Sequence, residues 1–208
     1  MPRRSKSSAR WLKEHFTDPY VQRAHAAGWR SRAVFKLEAV DKKESLLKPG
    51  MVVLDLGAAP GAWSEYARRA VGRQGHVLAS DILPMEPIAG VEFVQGDFLD
   101  EEVFQRILTR LPARGVDVVL SDIAPNMSGT DVIDQARSMY LCELALDMSE
   151  EVLKRGGATL IKTFQGAGFK ELVAASRQKF AKVRFAKPPA SRSRSPELYL
   201  LARDYQMV

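Results

Sequence analysis

From residue 51 onward the chain alternates apolar runs with amphipathic stretches. The runs "MVVLDLG" (51–57), "HVLASDI" (76–82), "VEFVQGD" (91–97), "VDVVLSDI" (116–123), "ATLIKTF" (158–164), "KVRFAKP" (182–188) and "ELYLLARDY" (197–205) have the length and β-branched content of strands. A helix is predicted from about residue 61, another over "DEEVFQRILTRL" (100–111), a third from the end of the loop "APNMSGTDVI" (124–133) to about 155, and a fourth over "GFKELVAASRQKF" (168–180). Strand and helix in alternation imply an α/β fold, a mostly parallel seven-stranded sheet with helices on both faces. The last two strands are joined by too few residues for a helical crossover, so the last strand should pair antiparallel.

Ahead of this pattern, "WLKEHFTDPYVQRAHAAG" (11–28) and "SRAVFKLEAVDKKE" (31–44) read as helices, the second opened by Ser31 as N-cap and followed by the stop "KPG" at 48–50. Residues 1–10 hold Arg, Ser and Lys with nothing to bury and are expected to form a disordered basic tail. The expected organisation is therefore a tail (1–10) and one domain (11–208), made of a helical preface (11–48) and a core (51–205).

Several polar residues break the apolar pattern. Lys162 interrupts a buried-looking strand, where an ammonium needs a partner. Four strands end in an aspartate, Asp55, Asp81, Asp97 and Asp122, and in a doubly wound sheet those ends form the ligand crevice. Lys36 falls in an apolar stripe with Ala33, Leu37 and Val40, and Glu197 opens the last strand after Pro196. The turn "DLGAAPGAWS" (55–64) leaves the first strand and enters a helix, so its backbone N–H groups can receive a ligand. Its glycines, Gly57 and Gly61, lack the GxGxxG order of a dinucleotide site, while Asp81 lies where an acid suits ribose hydroxyls, a feature shared by NAD and S-adenosylmethionine.

The net charge of +6 is unevenly placed: residues 1–36 carry nine basic side chains against Glu14 and Asp18. A second basic stretch, Arg177 to Arg194, contains no acid. Two such segments suggest a polyanionic partner such as RNA or DNA. The single Cys142 excludes an internal disulfide, and His15, His25 and His76 lack ligand spacing, so no metal site is expected. Without an apolar run near the roughly 18 residues of a membrane span, or a signal peptide, the expected location is the cytoplasm.

"DLGAAPGAWS" resembles motif I of S-adenosylmethionine-dependent methyltransferases. Together with "RSRAVFKL" (30–37), "GDF" (96–98), "SDIAPNMSGT" (121–130), "IKTFQG" (161–166) and "SRSRSPELYL" (191–200), it is similar to the FtsJ/RrmJ (RlmE) family of large-subunit ribosomal RNA 2′-O-methyltransferases. The resemblance implies a Rossmann-like fold that binds S-adenosylmethionine. It implies that Gly61 and Trp63 line the cofactor's methionine side, that Asp81 takes the ribose region and Asp97 the adenine, and that Gly57 and Asp122 also bind the cofactor. The family's Lys-Asp-Lys-Glu tetrad maps to Lys36, Asp122, Lys162 and Glu197, with Lys162 as general base toward a uridine 2′-hydroxyl. Ala62 departs from the pattern, standing where relatives often carry a second glycine. Arg3, Arg4, Lys6, Arg10, Arg30, Arg32, Arg192 and Arg194 are expected to contact RNA, and the chain is expected to act as a monomer on the large ribosomal subunit. Transfer RNA or another RNA as substrate, and a non-catalytic RNA-binding assembly factor, remain open alternatives.

Overall fold

The structure, a computed structural model, describes residues 17–125, 128–192 and 195–207. In chain order the elements are α1 (Pro19–Ala26), α2 (Val34–Glu44), β1 (Val52–Leu56), α3 (Ala62–Val71), β2 (His76–Asp81), β3 (Glu92–Gln95), α4 (Glu101–Arg110), β4 (Val116–Ser121), α5 (Asp131–Val152), β5 (Leu153–Phe164), α6 (Phe169–Lys179), β6 (Phe180–Ala186) and β7 (Glu197–Tyr205). The seven strands form one sheet in the order β3-β2-β1-β4-β5-β7-β6. The pairs from β3 to β5 are parallel, and β7 lies antiparallel between β5 and β6.

The central strands β1 and β4 are buried at every position, as expected where both faces of a parallel sheet are covered. Side chains alternate between the faces. On one face Leu54, Val119, Ile161 and Leu200 pack with Met139, Cys142 and Leu146 of α5. On the other, Val53, Val118, Leu160 and Leu201 pack with Leu37 and Val40 of α2 and Trp63 of α3. Continuing that second parity toward the carboxyl edge reaches Asp55, Asp122, Lys162 and Phe164, and, on antiparallel β7, Tyr199 and Glu197. The strands β1 and β4 are neighbours, and the order reverses between them. Such a reversal opens a crevice at the strand ends.

Local chemistry moves several predicted boundaries. Ser31 does not cap α2: its Oγ accepts from the Ala33 N–H at 3.2 Å within a turn, and the helix begins at Val34. Within the first predicted helix, α1 starts anew at Pro19, with Asp18 as N-cap accepting from the Tyr20 N–H at 2.9 Å, a position that suits proline. Helix α5 takes in Asp131 to Ile133, read above as loop, and β5 starts five residues before the predicted strand, with a register shift opposite Val116 to Val118.

Candidate active site

Lys162 Nζ stands 3.3 Å from Asp122 Oδ1 and 3.6 Å from Glu197 Oε2. Lys36 Nζ, reaching in from α2, lies 2.8 Å from the same Glu197 oxygen and 4.0 Å from Asp122 Oδ1. Two lysines and two carboxylates, from a helix, a loop and two strands, thus converge at the carboxyl edge. The pairing of β5 with β7 accounts for much of this, since Lys162 is directly opposite Tyr199 and Phe164 is opposite Glu197.

Two residues not singled out from the sequence complete the cluster. The Tyr199 hydroxyl donates to Asp122 Oδ1 at 2.7 Å, and the Ser191 hydroxyl donates to Glu197 Oε1 at 2.7 Å. Burial above all, then the Asp122 and Glu197 carboxylates, hold the Tyr199 phenol well above its ordinary range, so it remains a donor. Burial pushes the Glu197 carboxyl up, but Lys36, Lys162 and the Ser191 hydroxyl together hold it below the usual carboxylate range. Glu197 is therefore ionised. Tyr199 was legible in principle: if Glu197 faces the crevice, a period of two brings Tyr199 to the same side.

The glycine turn lies beside this cluster. Ser31, Asp55, Gly57, Pro60, Trp63 and Asp122 are among the residues lining a pocket of about 60 Å³. Gly57 has φ +68°, and a Cβ there would stand 2.3 Å from Ile123 Cγ1. Gly61 has φ +101°, and a Cβ there would meet Ile88 Cδ1 and Met85 Sδ at 2.7 Å, so both positions demand glycine. Asp55 is 1 % exposed and accepts from the Ser64 hydroxyl at 2.5 Å. Burial first, then the neighbouring Asp122 and Asp81 carboxylates, push it up to about 7.

Asp81 ends β2 and accepts from the N–H groups of Ala59 and Leu83, each at 2.8 Å, so it ties the glycine turn to the next loop. Asp97 is exposed and accepts from the Leu99 N–H at 3.0 Å. Ile82, Leu83 and Leu99 present exposed apolar side chains beside these two acids. The Trp63 indole is 3 % exposed, donates to the Ala33 carbonyl at 2.8 Å and lies 5.7 Å from the Tyr199 ring, so it borders the pocket mainly as a core residue. The Ala62 methyl is buried with Ala24, Val34, Phe35 and Ala190, where it joins the helical preface to the core. Cys142 donates to the Lys162 carbonyl at 3.1 Å, and burial pushes its thiol up to about 11, which leaves it an unreactive packing residue.

The arginines expected to meet RNA divide into groups. Arg30 donates to the carbonyls of Pro60 at 3.2 Å, Glu86 at 2.9 Å and Pro87 at 2.8 Å, so its guanidinium clasps two loops of the protein. Arg32 pairs with Asp18 and donates to the Ala190 carbonyl, and burial, then Arg192, lowers its pKa. Arg32 and Arg192 nonetheless line, with Ser31, Lys36, Ser195 and Glu197, a polar cavity of about 310 Å³. Arg3, Arg4, Lys6, Arg10 and Arg194 lie outside the described residues. In the second basic stretch Lys179 pairs with Glu150, Lys182 with Asp204 at 2.9 Å and Arg184 with Glu44 at 3.5 Å, so distant acids neutralise part of it.

This geometry agrees with what the chain is similar to. An FtsJ-like methyltransferase family model matches residues 29–205. The ribosomal RNA large subunit methyltransferase E of Legionella pneumophila strain Corby is 55 % identical over 204 residues, covering 98 % of this chain and 99 % of that protein. The protein of the same name from strain Lens is 54 % identical over the same length, with the same coverage of both chains. The crystal structure of a ribosomal RNA methyltransferase from Plasmodium falciparum superposes with a TM-score of 0.76 at 27 % identity, covering 85 % of this chain and 98 % of that one. With the family model spanning all seven strands and relatives matching nearly end to end, the chain belongs to the FtsJ-like methyltransferases.

Proposed function

We propose that this chain transfers a methyl group from S-adenosylmethionine to the 2′-hydroxyl of a uridine ribose in large-subunit ribosomal RNA. The observation that carries this reading is the Lys36, Asp122, Lys162 and Glu197 cluster held against the glycine turn. The turn itself argues for the cofactor. Asp55, Asp81 and Asp122 are close enough for the last two to raise the first, and such a set suits a cation while repelling a pyrophosphate. Gly57, Gly61 and Trp63 would hold the methionine side, Asp81 the ribose and Asp97 the adenine, with Ile82, Leu83 and Leu99 as apolar surface for the ring. Bound there, S-adenosylmethionine supplies an electrophilic methyl on a sulfonium.

The protein's part is to align the hydroxyl and receive its proton. Lys162 Nζ, having first released its own proton to solvent, accepts the hydroxyl proton late, as positive charge builds on the 2′-oxygen. Asp122, itself fixed by the Tyr199 hydroxyl, orients Lys162. The Lys36–Glu197 pair, steadied by Ser191, positions the ribose. Arg192 and the basic N-terminus hold phosphates, which gives affinity with little sequence choice and leaves specificity to RNA shape and the particle.

The test is incubation with methyl-labelled S-adenosylmethionine and, separately, free large-subunit RNA, large subunits and transfer RNA, followed by mapping of the label. The expected product is one 2′-O-methylated nucleotide in large-subunit RNA, recognised by an alkali-resistant phosphodiester. Label only in transfer RNA would overturn the substrate, and label on a base would overturn the chemistry.

A further inference from the structure

Of the four strand-end acids, Asp55 alone has no task of its own in the mechanism above. Asp81 ties two loops together, Asp97 bonds within its own turn, and Asp122 stands against Lys162. Asp55 is buried and accepts from the Ser64 hydroxyl at 2.5 Å, and among the described residues no lysine or arginine pairs with it. It nonetheless lines the pocket of the glycine turn, with Gly57, Trp63 and Asp122. A carboxylate withdrawn from water without a cation is costly to ionise.

The charges of the surrounding elements are engaged elsewhere or are of the same sign. On α3, Glu65 pairs with Arg69 at 2.6 Å, and Arg68 donates to the Gly72 and Gly75 carbonyls. Ahead of α2, Arg30 is held by three carbonyls and Arg32 by Asp18 and the Ala190 carbonyl. Lys36 of α2 and Lys162 of β5 each stand within 4.0 Å of both Asp122 and Glu197, and the Tyr199 hydroxyl of β7 also goes to Asp122. What reaches Asp55 from the end of β2 and from the loop after β4 is the negative charge of Asp81 and Asp122. Burial and these like charges outweigh the Ser64 bond and push the carboxyl up to about 7. A cation entering the pocket supplies the counter-charge that the fold withholds.

We infer that Asp55 is a specificity-determining residue that favours the charged methyl donor over its neutral product, by exchanging a proton for the donor's positive charge. The inference rests on the proposed use of S-adenosylmethionine. Asp55 loses its proton to solvent as the donor binds, so the net charge of the pocket stays the same. After transfer, the product S-adenosylhomocysteine has a neutral thioether in place of the sulfonium. Asp55 then recovers a proton from solvent, and the product is held without that attraction. Donor and product share adenine, ribose and the amino-acid end, and differ only in one methyl and its charge. Contacts to the shared parts hold both alike, whereas a buried carboxylate with no other cation distinguishes them.

The test is calorimetric titration of the full chain with S-adenosylmethionine and with S-adenosylhomocysteine across the neutral range, each in two buffers of different ionisation enthalpy. Because the bound donor favours ionised Asp55, the ratio of donor to product affinity should be highest at about pH 8 and fall about tenfold by about pH 6. At the lower pH, close to one more proton should be released on binding the donor than on binding the product. Asp55→Asn should hold the ratio level to within about twofold. Ser64→Ala, which removes the hydroxyl that favours the carboxylate, should move the fall to higher pH. A level ratio in wild type, or a ratio that still falls in Asp55→Asn, would overturn the inference while leaving cofactor binding in place. An unmoved profile in Ser64→Ala would overturn it as well, a result that does not depend on the Asp55 variant. If neither ligand binds wild type at any pH, the cofactor reading itself fails, and the inference with it.

Discussion

Asp55 shows how one buried group links stability to the proposed cofactor site. Its carboxyl is pushed up to about 7, so the folded protein favours the protonated form. Stability from this residue is full below the unfolded value near 3.8 and is lost as pH rises through about 7. Asparagine mimics the protonated acid at all pH values and keeps an acceptor for Ser64. The stability advantage of Asp55→Asn over wild type should therefore grow by roughly 2–3 kcal/mol between about pH 5 and pH 8 in urea unfolding of the cofactor-free protein. A difference that stays flat with pH would show that Asp55 is ionised throughout. The sequence displayed Asp55 only as one of four strand-end acids, because burial and the approach of Asp81 and Asp122 are products of the sheet. Lys162 was more legible, since an ammonium within "ATLIKTF" is anomalous on its own. Its partners were not, because a strand pattern does not say that β7 inserts beside β5 and brings Glu197 and Tyr199 opposite Phe164 and Lys162.

Between elements, Arg30 is the joint to examine. Its bonds to Pro60, Glu86 and Pro87 fasten the end of the helical preface to the glycine turn and to the loop after β2, whose Met85 and Ile88 lie against Gly61. Hydrogen bonds from a charged donor contribute about 1.5–3 kcal/mol each, and part of that ordering is available to the proposed cofactor site. Arg30→Ala should weaken S-adenosylmethionine binding about tenfold or more by calorimetry, while leaving the salt dependence of RNA binding unchanged. The opposite outcome, unchanged cofactor affinity with a shallower salt slope, would return Arg30 to a phosphate-contacting role. From sequence, "RSRAVFKL" displays two arginines in a basic segment and so favours RNA for both. Their carbonyl and carboxylate partners are up to 158 residues away, beyond the reach of local pattern. The strands were legible for the converse reason, since runs such as "VDVVLSDI" can be satisfied only inside a covered sheet.

For the whole molecule, charge and catalysis separate. The sheet places the cluster, while excess positive charge resides in the first 36 residues. Each phosphate neutralised on a single strand adds roughly 0.7 to the slope of log affinity against log salt. Removing residues 1–10, with Arg3, Arg4, Lys6 and Arg10, should shallow that slope by up to about 3 in filter binding to large-subunit RNA and leave cofactor affinity intact. An unchanged slope would mean that the tail does not touch RNA. No helix among the described residues is long and apolar enough to cross a membrane. In the proposed mechanism Lys162 receives the ribose proton within a cluster built by α2, the loop after β4, β5 and β7. Single-turnover methyl transfer to unmethylated large subunits by Lys162→Ala, with S-adenosylmethionine affinity measured on the same preparation, tests it most directly. Lys162→Ala should show no detectable transfer with cofactor affinity nearly that of wild type; transfer at a rate close to wild type would mean that another group takes the proton.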